Sequence, residues 1–178
     1  GEQWCFPIGH EAGGNMDIAI TTAWMQDVLR TPATKIFHNA SYDVGWLLVN
    51  GFEIRGKIVD TMIAAAIVNG NRYSFSLNAC AKDYLGEIKN ETFLNEKAKE
   101  WGIDPKQDMW RLPAGYVGHY AEQDAGLTLR LWNYLKQEII KQNLNDVWDM
   151  EMELLPILIE MRRKGIRVDI EKAHSLKK

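Results

Sequence analysis

The chain has 178 residues, 46% of them hydrophobic and 25% charged, which is the size and composition of one globular domain with little beyond it. A net charge of −3 and an isoelectric point of about 5.8 argue against a protein that binds duplex DNA through a broad basic surface. The longest apolar run lies around residues 64–68 and is too short to cross a membrane. Two widely separated cysteines favour free thiols in a reducing compartment, so we expect a cytoplasmic protein.

Short extended segments alternate with helices along the chain, which predicts an α/β fold. Residues 4–8 are predicted as an edge strand, because Pro7 cannot donate to a ladder. In the predicted helix Ile18–Arg30, four apolar side chains are expected to face the core: Ile20, Trp24, Val28 and Leu29. The other predicted elements are a strand at 35–37, a helix up to residue 50, extended pieces at 52–54 and 58–59, and helices at 61–68, 76–85, 90–101, 114–137, 145–164 and 170–178.

Residues 37–48 contain the first candidate site. They run from a buried strand through a polar turn into an apolar helix, which Ser41 is expected to cap. Asp43 then falls in the first helical turn, where the helix dipole favours a carboxylate. Because open α/β sheets place their sites at the carboxyl ends of strands, Asp43 is a candidate metal ligand or acid–base group.

Tyr120 and Asp124 form the second candidate site. They are four residues apart on the predicted helix 114–137, so their side chains point into the same space. Both lie on the apolar face of this helix, and burying an aspartate there without a partner is unfavourable. The pattern therefore indicates either a metal ligand or a buried ion pair.

Three segments follow one another in a fixed order: Asn39-x-x-Tyr42-Asp43, Asp60-Thr61-Met62 and Tyr120-x-x-x-Asp124. They resemble the second motif, a connecting segment and the third motif of the 3′–5′ proofreading exonuclease domain of family-A DNA polymerases, in the DEDD subtype that carries a tyrosine. The resemblance covers nearly the whole chain. It implies a ribonuclease H-like α/β fold, with a mixed sheet flanked by helices.

The first motif of that family, an Asp-x-Glu on the opening strand, is absent from the sequence. Since the chain also starts at Gly1 without a methionine, we expect a fragment that lacks its opening strand and two of four metal-binding carboxylates, and that is weakly active alone. The one Asp-x-Glu present, Asp149 to Glu151, follows the third motif. Side chains two residues apart on a helix point to different faces, so this pair is not expected to replace the missing motif.

The resemblance implies a site for two divalent cations, Mg²⁺ or Mn²⁺. Asp124 would ligate the ion that activates water, Tyr120 would orient that water, and Asp43 would hold the second ion. Asp60 is expected to cap the helix Thr61–Val68. The alternative is that Asp60 supports the residues of the site without contacting the substrate itself.

Four further residues are candidates for binding the 3′ end of single-stranded DNA. The resemblance implies that Asn39 and Tyr42 contact the frayed 3′ strand. For Tyr42 the alternative is ordinary packing beside Trp46. His38 is a weaker candidate next to the site. Arg72 is either a phosphate contact or a solvated loop residue.

These predictions combine into one hypothesis. Residues 1–144 are expected to form the 3′–5′ exonuclease domain, and residues 145–178 the start of the polymerase domain, because 151–169 resemble that segment of the family. Two alternatives stay open. One is an inactive domain that only binds the 3′ end of single-stranded DNA, and the other is an RNA-trimming relative.

Overall fold

The computed structural model describes residues 2–176. Its elements in chain order are α1 (Ile18–Arg30), β1 (Lys35–Phe37), α2 (Ala40–Val49), β2 (Ile58–Asp60), α3 (Thr61–Val68), α4 (Leu77–Cys80), a π-helical turn (Ala81–Leu85), α5 (Thr92–Glu100), a 3₁₀ turn (Met109–Arg111), α6 (Ala114–Lys141), α7 (Asn145–Lys164) and α8 (Ile170–Ser175). The α/β class is confirmed. None of the helices within residues 2–176 is both long and apolar enough to cross a membrane.

The sheet in the described part of the chain consists of two parallel strands, so it is not mixed. Lys35 of β1 lies opposite Ile58 of β2, and Phe37 lies opposite Asp60. The carboxyl ends of the two strands therefore lie side by side and bring the start of α2 beside the start of α3. Helix α3 follows β2 directly, and the residues between β1 and α2 are His38 and Asn39.

The strand predicted at residues 4–8 is wrong. This segment pairs with neither strand of the sheet, and the carbonyl of Pro7 instead accepts a hydrogen bond from the N–H of Met16. Phe6 instead stacks on Trp24 of α1, with ring centroids 4.3 Å apart. The segment thus lies against the helix and does not extend the sheet.

The inward face predicted for α1 is mostly wrong as well. Leu29 is buried, whereas the other three apolar side chains of the predicted face are largely exposed: Ile20, Trp24 and Val28. Their spacing is helical, but spacing alone does not show which side of a helix other elements cover. The bounds predicted for α1 are confirmed, because Asp17 caps its first turn through the N–H of Ile20.

Capping also explains where α2 and α8 begin. Ser41 does not cap α2. The N-cap is Asn39, two residues earlier, in the left-handed region (φ 69°), and the helix starts at Ala40. Asp169 caps α8 by accepting a hydrogen bond from the N–H of Lys172. The predicted end of this helix at Lys178 lies outside the described residues.

Two apolar clusters hold the helices that carry the candidate site. The first joins α3, α4, the π-helical turn and α6 around these buried residues: Ala64, Ala65, Cys80, Leu131, Leu135 and Ile139. The second joins α2 to α7 around Ala40, Val44, Leu155 and Ile159. The two thiols, Cys5 and Cys80, are free, as expected.

Candidate active site

One buried carboxylate organises the start of both helices beside the sheet. Asp60 is 1% exposed, and its carboxylate accepts hydrogen bonds from the N–H groups of Asn39 (3.0 Å), Ala40 (2.8 Å) and Met62 (2.8 Å). The predicted cap of α3 is therefore confirmed. The same side chain also satisfies the first N–H groups of α2, which explains why Ser41 is not needed there.

Asp43 lies one turn into α2, where it lines a cavity of about 590 Å³ between β1, α2 and α6. The cavity is lined by Thr34, Ile36, Phe37, His38, Asp43, Leu77, Asp124, Ala125, Thr128 and Leu129. Burial among these groups raises the pKa of the Asp43 carboxyl, and the charge of Asp60 raises it further. The structure thus brings Asp43 and Asp124 into one cavity although they are distant in sequence.

Asp124 forms an ion pair with a buried lysine. Its Oδ1 lies 2.6 Å from Nζ of Lys89, whose side chain is only 3% exposed. Oδ1 itself is buried and has no hydrogen-bond partner of acceptable geometry. A second carboxylate, that of Glu91, lies 3.7 Å from the same ammonium. Of the two interpretations that the sequence allowed, the ion pair is present in the structure.

Tyr120 lies one helical turn before Asp124 and contacts the same lysine. Nζ of Lys89 is 3.1 Å from the centroid of the Tyr120 ring, which is the geometry of a cation–π contact. Tyr120 also packs against the apolar cluster of Leu94, Leu112 and Val117. Lys89 is the functional candidate that sequence reasoning missed, since nothing in the loop around residues 86–91 marks one lysine as buried.

His38 lines the cavity that contains Asp43 and Asp124. Its Nε2 donates to the carbonyl of Phe75 (2.8 Å), and its Nδ1 lies 2.9 Å from Oγ1 of Thr61. Burial lowers the pKa of His38, against the opposing effects of the Phe75 carbonyl and the nearby carboxylates. Both ring nitrogens are therefore engaged by the protein.

Tyr42 and Asn39 lie at the start of α2. Tyr42 is 52% exposed, and its ring meets the exposed Trp46 edge-on at 6.5 Å. Both aromatic rings line a separate cleft of about 940 Å³ between α1 and α2, which Asp43 also borders. The side chain of Asn39 accepts a long hydrogen bond (3.4 Å) from the hydroxyl of Ser41.

Arg72 does not line the cavity of Asp43 and Asp124. Its side chain is 8% exposed, with Nη2 2.9 Å from Oδ2 of Asp83 and the guanidinium 4.7 Å from the ring centroid of Tyr84. The alternative of a solvated loop arginine is therefore wrong. Burial of a charged group beside a partner gives this residue a clear structural task.

The carboxylates of Asp43 and Asp124 fit a hard divalent cation by donor type, because Mg²⁺ and Mn²⁺ prefer oxygen ligands. The buried Oδ1 of Asp124 already faces a cationic group. Within residues 2–176, however, no set of three or more His, Cys, Asp or Glu side chains is arranged to hold a metal. Asp149 lines a different cavity beside β2, so the Asp-x-Glu of α7 does not complete the set.

A family model described as 3′–5′ exonuclease of family-A DNA polymerases matches residues 10–140. The chain belongs to this exonuclease family. The match covers most of the chain and contains both motifs, so the family resemblance is confirmed.

The family members include phage polymerases. The chain is 36% identical over 169 residues to a DNA-directed DNA polymerase of Pseudomonas phage M6, with 93% of this chain and 26% of the relative covered. It is 34% identical over 157 residues to the DNA polymerase DpoZ of Salmonella phage PMBT28, with 85% and 25% covered. The chain thus spans about a quarter of the length of these relatives.

The fold is shared with a solved polymerase structure. The POL domain of Pol1 from M. smegmatis, in complex with DNA primer-template and dNTP, matches with a TM-score of 0.66 at 24% identity, covering 87% of this chain and 23% of that one. This similarity and the family match confirm the ribonuclease H-like exonuclease fold.

Proposed function

We propose that the chain is the proofreading exonuclease part of a phage-type DNA polymerase, which removes nucleotides from the 3′ end of single-stranded DNA at a primer terminus. The observation that carries this proposal is the shared cavity of Asp43 and Asp124, with Tyr120 one turn from Asp124. Family membership supplies the reaction class, a hydrolase that acts in the 3′–5′ direction.

Asp43 and Asp124 would hold Mg²⁺ or Mn²⁺. A pair of such ions, when bound, activates water, neutralises the scissile phosphate and stabilises the leaving oxygen. The phenol of Tyr120 can donate one hydrogen bond and accept others, so it suits orienting a water molecule. The remaining task of the chain is to keep these three groups in register, which Asp60 does for α2 through its backbone hydrogen bonds.

The exposed rings of Tyr42 and Trp46 would stack on bases of the substrate strand. Stacking is tolerant of sequence, as proofreading of any terminus requires. The amide of Asn39 would bond to sugar or phosphate. His38, with both nitrogens engaged, would act mainly by shaping the cavity.

We further propose that residues 1–144 are the exonuclease domain and residues 145–178 the start of the polymerase domain in the parent chain. The family match ends at residue 140, which is compatible with this division. Leu155 and Ile159 of α7 nonetheless pack onto α2, so the second segment supports the helix that carries Asp43.

The test is degradation of a 3′-labelled single-stranded DNA in the presence of Mg²⁺ or Mn²⁺. Since the described residues supply two carboxylates, we expect slow turnover, so long incubations and Mn²⁺ are needed. Asp124→Ala should reduce the rate at least a hundredfold. Asp149→Ala is the matched control, because it removes a carboxylate outside the cavity, and it should retain full activity.

The outcomes separate the alternatives. Equal rates for the wild type and Asp124→Ala would refute the proposed site. Binding of the 3′ end without any turnover would favour the inactive binding domain, and faster degradation of RNA than of DNA would favour the RNA-trimming relative.

A further inference from the structure

We propose that Lys89 is an internal counter-cation that competes with divalent metal at Asp124 and so sets the metal affinity of the site. This inference rests on the proposed metal site. It assigns a task to a residue that belongs to neither of the two motifs.

The contacts of Lys89 are those of a buried charge with dedicated partners. Its ammonium lies 2.6 Å from Oδ1 of Asp124, 3.7 Å from Oε1 of Glu91 and 3.1 Å from the ring centroid of Tyr120. A lysine side chain that is 3% exposed is rare, because burying an ammonium is unfavourable unless it is paired. The groups that stabilise it include the two motif residues on which the proposed chemistry depends.

The position of the ammonium conflicts with that of a metal ion. Metal ions such as Mg²⁺ bind carboxylate oxygens at about 2.0–2.1 Å, so an ion on Oδ1 of Asp124 would lie within a few ångströms of Nζ of Lys89. Two cations at that separation in a partly buried site repel strongly. Oδ1 therefore holds either the lysine or the metal.

The loop that carries Lys89 can accommodate such an exchange. It starts at Gly86, in the left-handed region (φ 67°), and ends before α5. The four-carbon stem of a lysine is flexible, and Glu91 offers a second carboxylate next to the ammonium. Lys89 can thus leave Asp124 without unfolding either neighbouring helix.

The test compares Mn²⁺ binding by calorimetry to the whole chain and to two variants. Lys89→Met keeps the apolar stem and removes the competing charge, so we expect Mn²⁺ to bind about tenfold more tightly. Lys97→Met is the matched control, since Lys97 pairs with Glu100 on α5 and not with Asp124. Its affinity for Mn²⁺ should equal that of the wild type.

Metal should also stabilise the two proteins differently. Without metal, Lys89→Met leaves the charge of Asp124 unpaired, so Mn²⁺ should raise its unfolding temperature more than that of the wild type. Equal or weaker binding by Lys89→Met, with measurable binding by the wild type, would overturn the competition and leave the metal site standing. Absence of Mn²⁺ binding in every variant would overturn the metal site and the inference together.

A measurement on the wild type keeps the test decisive if Lys89→Met fails to fold. Lys89 should react poorly with acetic anhydride in the absence of metal, because it is buried. Saturating Mn²⁺ should raise its acetylation several-fold relative to Lys97, as mass spectrometry would show. Unchanged acetylation of Lys89 would contradict its displacement.

Discussion

Replacing Asp60 by alanine removes the acceptor of three backbone hydrogen bonds at once. Two of the donors, the N–H groups of Asn39 and Ala40, start α2, and the third, that of Met62, lies in the first turn of α3. Alanine offers no acceptor, so these three N–H groups lose their partner. The variant therefore loses the side-chain hydrogen bonds at the start of two helices, α2 and α3.

The size of the effect follows from the three bonds. Loss of the helix cap of α3 costs about 1 kcal/mol. Ala40 is fully buried, and each donor of α2 left without a partner costs about 1–3 kcal/mol. With two such donors in α2, we therefore expect a loss of about 3–7 kcal/mol, which is a large part of the roughly 5–15 kcal/mol available to a typical domain.

Urea unfolding followed by tryptophan fluorescence measures this loss, since the chain has 7 tryptophans. The matched control is Asp17→Ala, which removes an exposed cap that accepts one hydrogen bond, from Ile20. We expect the control to lose about 1 kcal/mol. If Asp60→Ala lost no more than Asp17→Ala, the reasoning that one carboxylate holds two helices would be refuted.

Three further predictions concern single side chains. The pKa of Asp43 is raised, so its contribution to stability declines as the pH rises from the ordinary aspartate pKa of about 3.9 to the raised pKa. Above this window, Asp43→Asn should be more stable than the wild type in urea unfolding. A difference in stability between the two proteins that did not depend on pH would contradict this. Arg72→Ala should lower the free energy of unfolding by about 1–3 kcal/mol and leave the nuclease rate within twofold, whereas a tenfold loss of rate would favour a phosphate contact for Arg72. Tyr120→Phe keeps the ring under Lys89 and removes the hydroxyl, so the nuclease rate should fall about ten- to a hundredfold at unchanged stability; an unchanged rate would exclude the hydroxyl from the reaction.

Local signals in the sequence predicted much of the fold. The bounds of α1 and α3 are those predicted, because Asp17 and Asp60 cap the helices from the residue next to the first turn. The start of α2 was mispredicted because its acceptor, Asp60, is 21 residues away from Asn39. The strand at residues 4–8 failed because a strand needs a partner, which a local pattern does not specify.

The same distinction applies to the candidate site. The spacing of Tyr120 and Asp124 placed both on one helix face, and the motif order placed Asp43 near them. Nothing local indicated that Lys89 would be buried against Asp124, or that Arg72 would be enclosed by Asp83 and Tyr84. Both arrangements depend on which loops the tertiary fold brings together.

The two carboxylates of the cavity lie on helices that pack in different apolar clusters. Asp43 lies on α2, which the small α2–α7 cluster secures, whereas Asp124 lies on α6, which the larger cluster with α3 secures. Partial unfolding commonly proceeds by cooperative units, each with its own opening free energy. Opening of α7 would remove the packing of Leu155 and Ile159 on α2 and so loosen the position of Asp43 relative to Asp124. Amide hydrogens of α2 and α7 should then exchange together and before those of α6, and catalytic competence would be lost on heating before the global transition.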